Sequence, residues 1–299
     1  MIVGPDYQGK HLVFVIGCPR SGTTWVQRLL SCNSQVRTGQ ESNLFNDSIG
    51  LQLRRWRRGL ALRERGGVGL ACYFTEPEML ELLRDFMRKL LQRMLEPLTE
   101  NQFFVEKTPD HALYLPEIIE LLPESRIIHV LRDPRDVVAS LMAASRTWAG
   151  ESSWAPDNAR DAARLWVRTV NTVHGVIRRT QSKQVLEVRY ENLHSAPIET
   201  LGQIRDFIGC DWTEEEMHQA LEANRISGGS GGENSQPIIP LSGQAAIESG
   251  PRVIDPEGFL RKGMPGSWKS DLSLADKLWV WRIARASAGD NGYRIGWFR

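Results

Sequence analysis

Residues Gly17 to Trp25 read GCPRSGTTW and follow a short apolar run, Leu12 to Ile16. A strand, a glycine-containing turn and a helix start, in that order, present backbone N–H groups at the positive end of a helix dipole, which makes a cradle for phosphate. Gly17 and Gly22 keep the GxxxxG spacing of nucleotide triphosphatases, yet Thr23 and Thr24 stand where those enzymes need a lysine and then Ser or Thr. Without that lysine the loop is poorly equipped for a γ-phosphate, and its positive charge comes from Arg20 inside the turn.

Two more segments bring reactive side chains to strand ends. RIIHVLRDPRDVVASLMA, Arg126 to Ala143, is a buried strand that ends in a charged turn and a helix. Alone, IIHVLRD resembles the acidic strand of an ATPase, with Asp133 as the magnesium-linked acid; Arg132 argues against that. VEKTPDHALYLPEI, Val105 to Ile118, places Lys107, Asp110 and His111 directly after a strand, where α/β enzymes put site residues. Glu41, in VRTGQESNLF, is a further acid beyond the first helix. An imidazole titrates near neutrality unaided, whereas a glutamate needs burial or a charged partner to act as a base. Each also has a plain structural reading, Glu41 as a solvated loop acid or helix cap and His111 as a cap for the next helix.

Positioning these groups requires strands alternating with helices. Short β-rich runs at His11 to Ile16, Phe103 to Glu106, Arg126 to Leu131 and Gln184 to Arg189 are separated by longer amphipathic stretches, which predicts a mostly parallel sheet covered by helices. Thr75 to Leu95 and Asp157 to Arg179 carry helical periodicity, with Trp166, Val170, Val173 and Ile177 on one face. Asp133 before Pro134, and Thr213 with Glu216 three residues on, are helix-start signals. SGGSGGENSQ, Ser227 to Gln236, reads as a flexible loop that continues without periodicity to about 255, either a lid or a disordered insert.

With these segments in place, the chain resembles the PAPS-dependent sulfotransferases, PAPS being 3′-phosphoadenosine 5′-phosphosulfate, whose 5′-phosphosulfate loop reads close to PRSGTTW. The resemblance implies that Arg20, Ser21, Gly22, Thr23 and Thr24 grip the 5′ end of PAPS while Trp25 packs on the adenine, as an indole face can. It further implies that Arg132 and Ser140, with the family's spacing, bind the 3′-phosphate, where a guanidinium gives charge-assisted, fork-shaped hydrogen bonds. FLRKGMPGSWKSDLS, Phe259 to Ser273, is similar to the family's RKGxxGDWK segment, with Ser267 in place of the usual Asp, and so offers Arg261, Lys262 and Gly263 for the same phosphate. RYENL, Arg189 to Leu193, resembles a segment whose tyrosine, here Tyr190, lies near the adenine. Lys107 matches the lysine that assists the bridging oxygen. His111 is offset by two residues from the histidine of the small-molecule branch, and Glu41 stands where the tyrosylprotein and glycan branches carry a glutamate, so both remain candidates for the base.

The sequence therefore leads us to expect one α/β sulfotransferase domain over residues 1–299, with PAPS as co-substrate and no metal. A P-loop nucleotide kinase or ATPase would need the missing lysine and a bound magnesium; a non-catalytic nucleotide-binding homologue would share the cofactor motifs but not turnover. A formal charge of +1 excludes a nucleic-acid-coating protein, and four cysteines without paired spacing suggest neither a disulfide scaffold nor a metal site. The polar start of the chain and the shortness of its first apolar run suggest a cytoplasmic protein with no membrane segment. The expected acceptor is a small-molecule, natural-product or carrier-tethered hydroxyl or amine, with Trp148 and Trp154 lining either its pocket or the core.

Overall fold

A computed structural model describes residues 3–4, 6–63, 66, 69–96, 98–150, 154–181, 183–225 and 263–294. Five strands, β1 (Leu12–Gly17), β2 (Val36–Thr38), β3 (Phe103–Lys107), β4 (Arg126–Leu131) and β5 (Val185–Arg189), form one sheet in the order β2-β3-β1-β4-β5, with every neighbouring pair parallel. The expected α/β class is thus present. β2 is an addition, too short to stand out from its polar surroundings. The loop at 227–255 lies outside the described residues.

β1 is buried along its whole length because helices cover both faces of the sheet. Successive side chains in a strand point to opposite faces. Leu12, Phe14 and Ile16 accordingly enter one core with residues of α2 (Ile49–Leu62), α3 (Glu76–Leu95) and α4 (Leu115–Leu121), whereas Val13 and Val15 enter the other with residues of α1 (Thr23–Ser31). A third cluster joins α5 (Pro134–Ser145), α6 (Ala159–Thr180) and the helix Leu274–Asp290. Its largest fully buried member is Trp166, and burying such a side chain contributes about 1.5–3 kcal/mol. The Trp166 indole N–H also donates to the carbonyl of Arg132 at 3.0 Å, so the helix that covers β4 fixes the turn leaving it.

The helix-start signals are realised. Asp133 caps α5, accepting the N–H of Arg135 at 2.8 Å with Pro134 at the first helical position. Thr213 and Glu216 form a capping box, and Thr75 with Glu78 forms another at the start of α3. All four cysteines are free thiols. Among the described residues no helix is long and apolar enough to cross a membrane.

Candidate active site

A cleft of about 470 Å³ opens at the carboxyl ends of β1, β3 and β4, lined by Arg20, Gly22, Thr23, Thr24, Trp25, Glu41, Arg132, Ser140, Tyr190 and Gly263 among others. Its floor is the turn between β1 and α1. Arg20 (φ 74°) and Gly22 (φ 101°) are both left-handed there. A side chain at position 22 is impossible without movement, since a Cβ would lie 2.3 Å from the ring of Tyr190. Arg20 has a Cβ, and holding it in that region costs about 1–2 kcal/mol. The guanidinium it thereby aims across the cleft donates to the Ser140 hydroxyl at 3.1 Å and lies over the Trp148 ring at 5.5 Å.

Arg132 comes directly after the last residue of β4 and is nearly buried. One of its terminal nitrogens donates to the Arg20 carbonyl at 3.3 Å, and its guanidinium stacks 4.1 Å from the Tyr190 ring centre. Its Nε is buried without a hydrogen-bond partner among the described residues. A buried guanidinium N–H left unpaired is costly, and the phosphate of a bound nucleotide would satisfy it. Tyr190 packs edge-on against Trp25, with centroids 5.5 Å apart, and its hydroxyl donates to the Gly263 carbonyl. The tyrosine thus joins three segments that the sequence placed far apart.

Arg261 and Lys262 lie outside the described residues. The segment from Gly266 to Trp268, a few positions further along the chain, is anchored by Asp136, a buried carboxylate of α5 that is not among the sequence-based candidates. Its two oxygens accept the N–H of Gly266 at 2.7 Å, the hydroxyl of Ser267 at 3.1 Å and the N–H of Trp268 at 3.0 Å. Arg135 stacks on Trp268 from the same turn, 4.1 Å from the ring centre. Ser267 replaces the family's usual Asp at a place where a second carboxylate would face Asp136.

On the other side of β1, Lys107 ends β3 with its side chain almost entirely covered, and it donates to the Glu41 carboxylate, which is 44% exposed. Glu41, Asp47 and Asp110 line this end of the cleft. Burial, and then the nearby Glu41 carboxylate, push the Asp110 carboxyl above its ordinary range.

The two candidate bases part company here. Glu41 faces the cleft; His111 is fully buried and does not line it. Nε2 of His111 accepts the N–H of Phe45 at 3.1 Å and Nδ1 lies 2.9 Å from Glu106. The Phe45 contact occupies the lone pair a base would use, so the geometry gives His111 a supporting place. Glu106, absent from the sequence-based candidates, completes that support. It is buried and accepts the Ser42 N–H at 3.1 Å, the Ser42 hydroxyl at 2.7 Å and the Thr108 hydroxyl at 2.7 Å. Burial pushes its carboxyl up, but His111 and those two hydroxyls outweigh it and hold it down at about 2. Together Glu106 and His111 pin the loop that carries Glu41 onto β3. A glutamate directly after the apolar FFV run of β3 is the available signal. Ser21 is also buried behind the turn rather than lining the cleft. Trp148 and Trp154 do line it, with ring centroids 5.6 Å apart.

The model of the "Sulfotransferase family" matches residues 13–214, more than half of the chain. A protein-tyrosine sulfotransferase of Drosophila melanogaster is 25% identical over 220 residues, 73% of this chain and 42% of that protein. A putative protein-tyrosine sulfotransferase of Caenorhabditis briggsae is 26% identical over 211 residues, 70% of this chain and 69% of that protein. The chain thus spans less than half of the fly protein's length. Among solved structures, the sulfotransferase domain of the Synechococcus PCC 7002 olefin synthase aligns with a TM-score of 0.55 and 18% identity, covering 95% of this chain and 97% of that one. A mouse sulfotransferase complexed with PAP, SULT7A1, aligns with a TM-score of 0.58 and 15% identity, covering 96% and 89%.

Proposed function

The chain belongs to the sulfotransferase family, and from that premise we propose that it transfers a sulfuryl group from PAPS to an acceptor hydroxyl or amine. The observation that carries this reading is the convergence, in one cleft, of a left-handed phosphate-type turn, an arginine with a buried unpaired N–H and, at the opposite end, a lining glutamate paired with Lys107, which is covered and stands just behind the cleft wall. Arg20 and the N–H groups from Gly22 to Thr24 would hold the 5′-phosphosulfate, with Ser21 supporting the turn from behind. Arg132 and Ser140 would hold the 3′-phosphate, joined by Arg261, Lys262 and Gly263, and Trp25 and Tyr190 would border the adenine.

Lys107 would place its charge beside the bridging oxygen as the sulfur–oxygen bond breaks, and Glu41 would take the acceptor's proton. Positioning and electrostatics dominate such a transfer. Lys107 would also hold the Glu41 carboxylate in a fixed orientation at the cleft wall. We further infer a small-molecule, natural-product or carrier-tethered acceptor met in the cytoplasm, supported by a cleft mouth that combines tryptophans with carboxylates.

The test is release of adenosine 3′,5′-bisphosphate from PAPS across a panel of alcohols, phenols, amines and carrier-bound acyl chains, with chelator present. Acceptor-dependent release is expected. Tight bisphosphate binding without turnover on any acceptor would favour a non-catalytic homologue, and magnesium-dependent ATP cleavage would favour a kinase or ATPase.

A further inference from the structure

Away from the cleft, three potential metal ligands converge from three elements. His129 of β4 stands opposite Glu187 of β5 in the parallel register, so both side chains leave the same face of the sheet. His174 reaches them from α6. Nδ1 of His129 lies 3.1 Å, and Nε2 of His174 2.6 Å, from the same oxygen of Glu187. The two imidazole rings are nearly perpendicular, 5.9 Å apart. One ligand atom from each residue lies within 4.8 Å of the other two.

We propose that His129, His174 and Glu187 bind one divalent cation of the zinc class, as a structural brace separate from the transfer chemistry. Two imidazoles and a carboxylate form a nitrogen–oxygen set that zinc accepts, with bonds of about 2.0–2.2 Å. A tetrahedral ion with such bonds sets its ligand atoms roughly 3.3 Å apart, so small side-chain adjustments suffice here. The fourth position falls to water: His129 is fully buried, while the His174 and Glu187 side chains are 19% and 28% exposed and give the ion a way in. Hydrogen bonding within the trio leaves one polar atom unaccounted for, since Nε2 of His129 is buried without a partner among the described residues.

Positions 129, 174 and 187 have no motif spacing, which is why the sequence pointed to no metal. His129 lies three residues before Arg132, and Glu187 three before Tyr190, so an ion here would clamp together the two strands that deliver those side chains to the cleft.

The test uses the untagged 299-residue chain, stripped of metal and titrated with Co²⁺ and Zn²⁺. One ion per chain is expected by calorimetry, with the visible absorption of four-coordinate cobalt. Glu187→Gln and His174→Gln should each weaken binding by more than about ten-fold, the least that loss of even an outer partner typically costs. Both should keep the parental circular dichroism. A parent that takes up no stoichiometric ion overturns the proposal, as does uptake that survives both substitutions.

Discussion

Lys107 and Glu41 are paired at one end of the cleft, the lysine from the last position of β3 and the glutamate from the loop after β2. An ammonium has three donors and a carboxylate two oxygens, so the pair can persist while each group turns one valence toward the reacting atoms. In the proposed transfer the charge on the leaving oxygen and the base would then share one charge-balanced unit. Removing a positioned base typically costs 10²–10⁴-fold. Glu41→Gln is therefore expected to lose at least about a hundred-fold in turnover while binding adenosine 3′,5′-bisphosphate like the parent. Near-parental turnover on a true acceptor would remove Glu41 from the reaction.

His111→Ala should behave differently. It strips the hydrogen-bond acceptor from the buried Phe45 N–H, an orphan that costs about 1–3 kcal/mol, and removes the imidazole that lies 2.9 Å from the buried Glu106 carboxylate. Urea unfolding should show a loss of roughly 2–5 kcal/mol. Any fall in turnover should be accompanied by a poorly held Glu41 loop, seen as faster hydrogen exchange at residues 41–45. A stable variant with unchanged exchange and a large loss of rate would return the imidazole to the chemistry.

Arg132→Ala removes a charge-assisted contact worth about 1.5–3 kcal/mol. Affinity for the 3′,5′-bisphosphate should drop by roughly ten- to over a hundred-fold, while 5′-AMP binding stays nearly constant. Calorimetry with both ligands separates this from misfolding, in which both would fall together.

Gly22→Ala asks a residue with a Cβ to adopt φ 101° with the Tyr190 ring 2.3 Å away. Tyr190 must then move, and with it the hydroxyl that holds Gly263. The melting temperature and bisphosphate affinity should fall together. Combining the substitution with Tyr190→Ala should recover part of the stability but not the affinity, as a double-mutant cycle would show.

Glu106 gives the fold an acid-sensitive support. Its folded value of about 2 lies below the roughly 4.3 of an unfolded glutamate. Its contribution is therefore complete above the unfolded value and lost as pH falls toward 2. Urea midpoints measured from pH 7 down to pH 2 should fall, and Glu106→Gln should start lower and fall less steeply.

Much of this molecule was legible from its sequence because the information is local. The turn from Gly17 to Trp25, the strand before Arg132 and the caps at Asp133 and Thr213 are written in consecutive residues, and each formed where spacing and side-chain chemistry placed it. The illegible part depends on contacts between segments distant in sequence. No local pattern says that His111 spends its lone pair on Phe45, that Asp136 accepts three donors from Gly266 to Trp268, or that His129 and His174 share an oxygen of Glu187. β2 escaped for a related reason: three residues, one of them an arginine, carry too little alternation to be read without the neighbour they pair with.

The strand order also sets a fixed length. β1 lies between β3 and β4, so the ends that carry Lys107 and Arg132 are two inter-strand steps apart, about 10 Å at the usual 4.7–4.9 Å per step. That gauge is held by main-chain hydrogen bonds, which side-chain replacement does not alter. The far wall of the cleft, by contrast, is built from loops, at Glu41 to Asp47 and near Trp148 and Trp154. Redesign of those loops can change what the cleft admits without resetting the distance between the two strand ends.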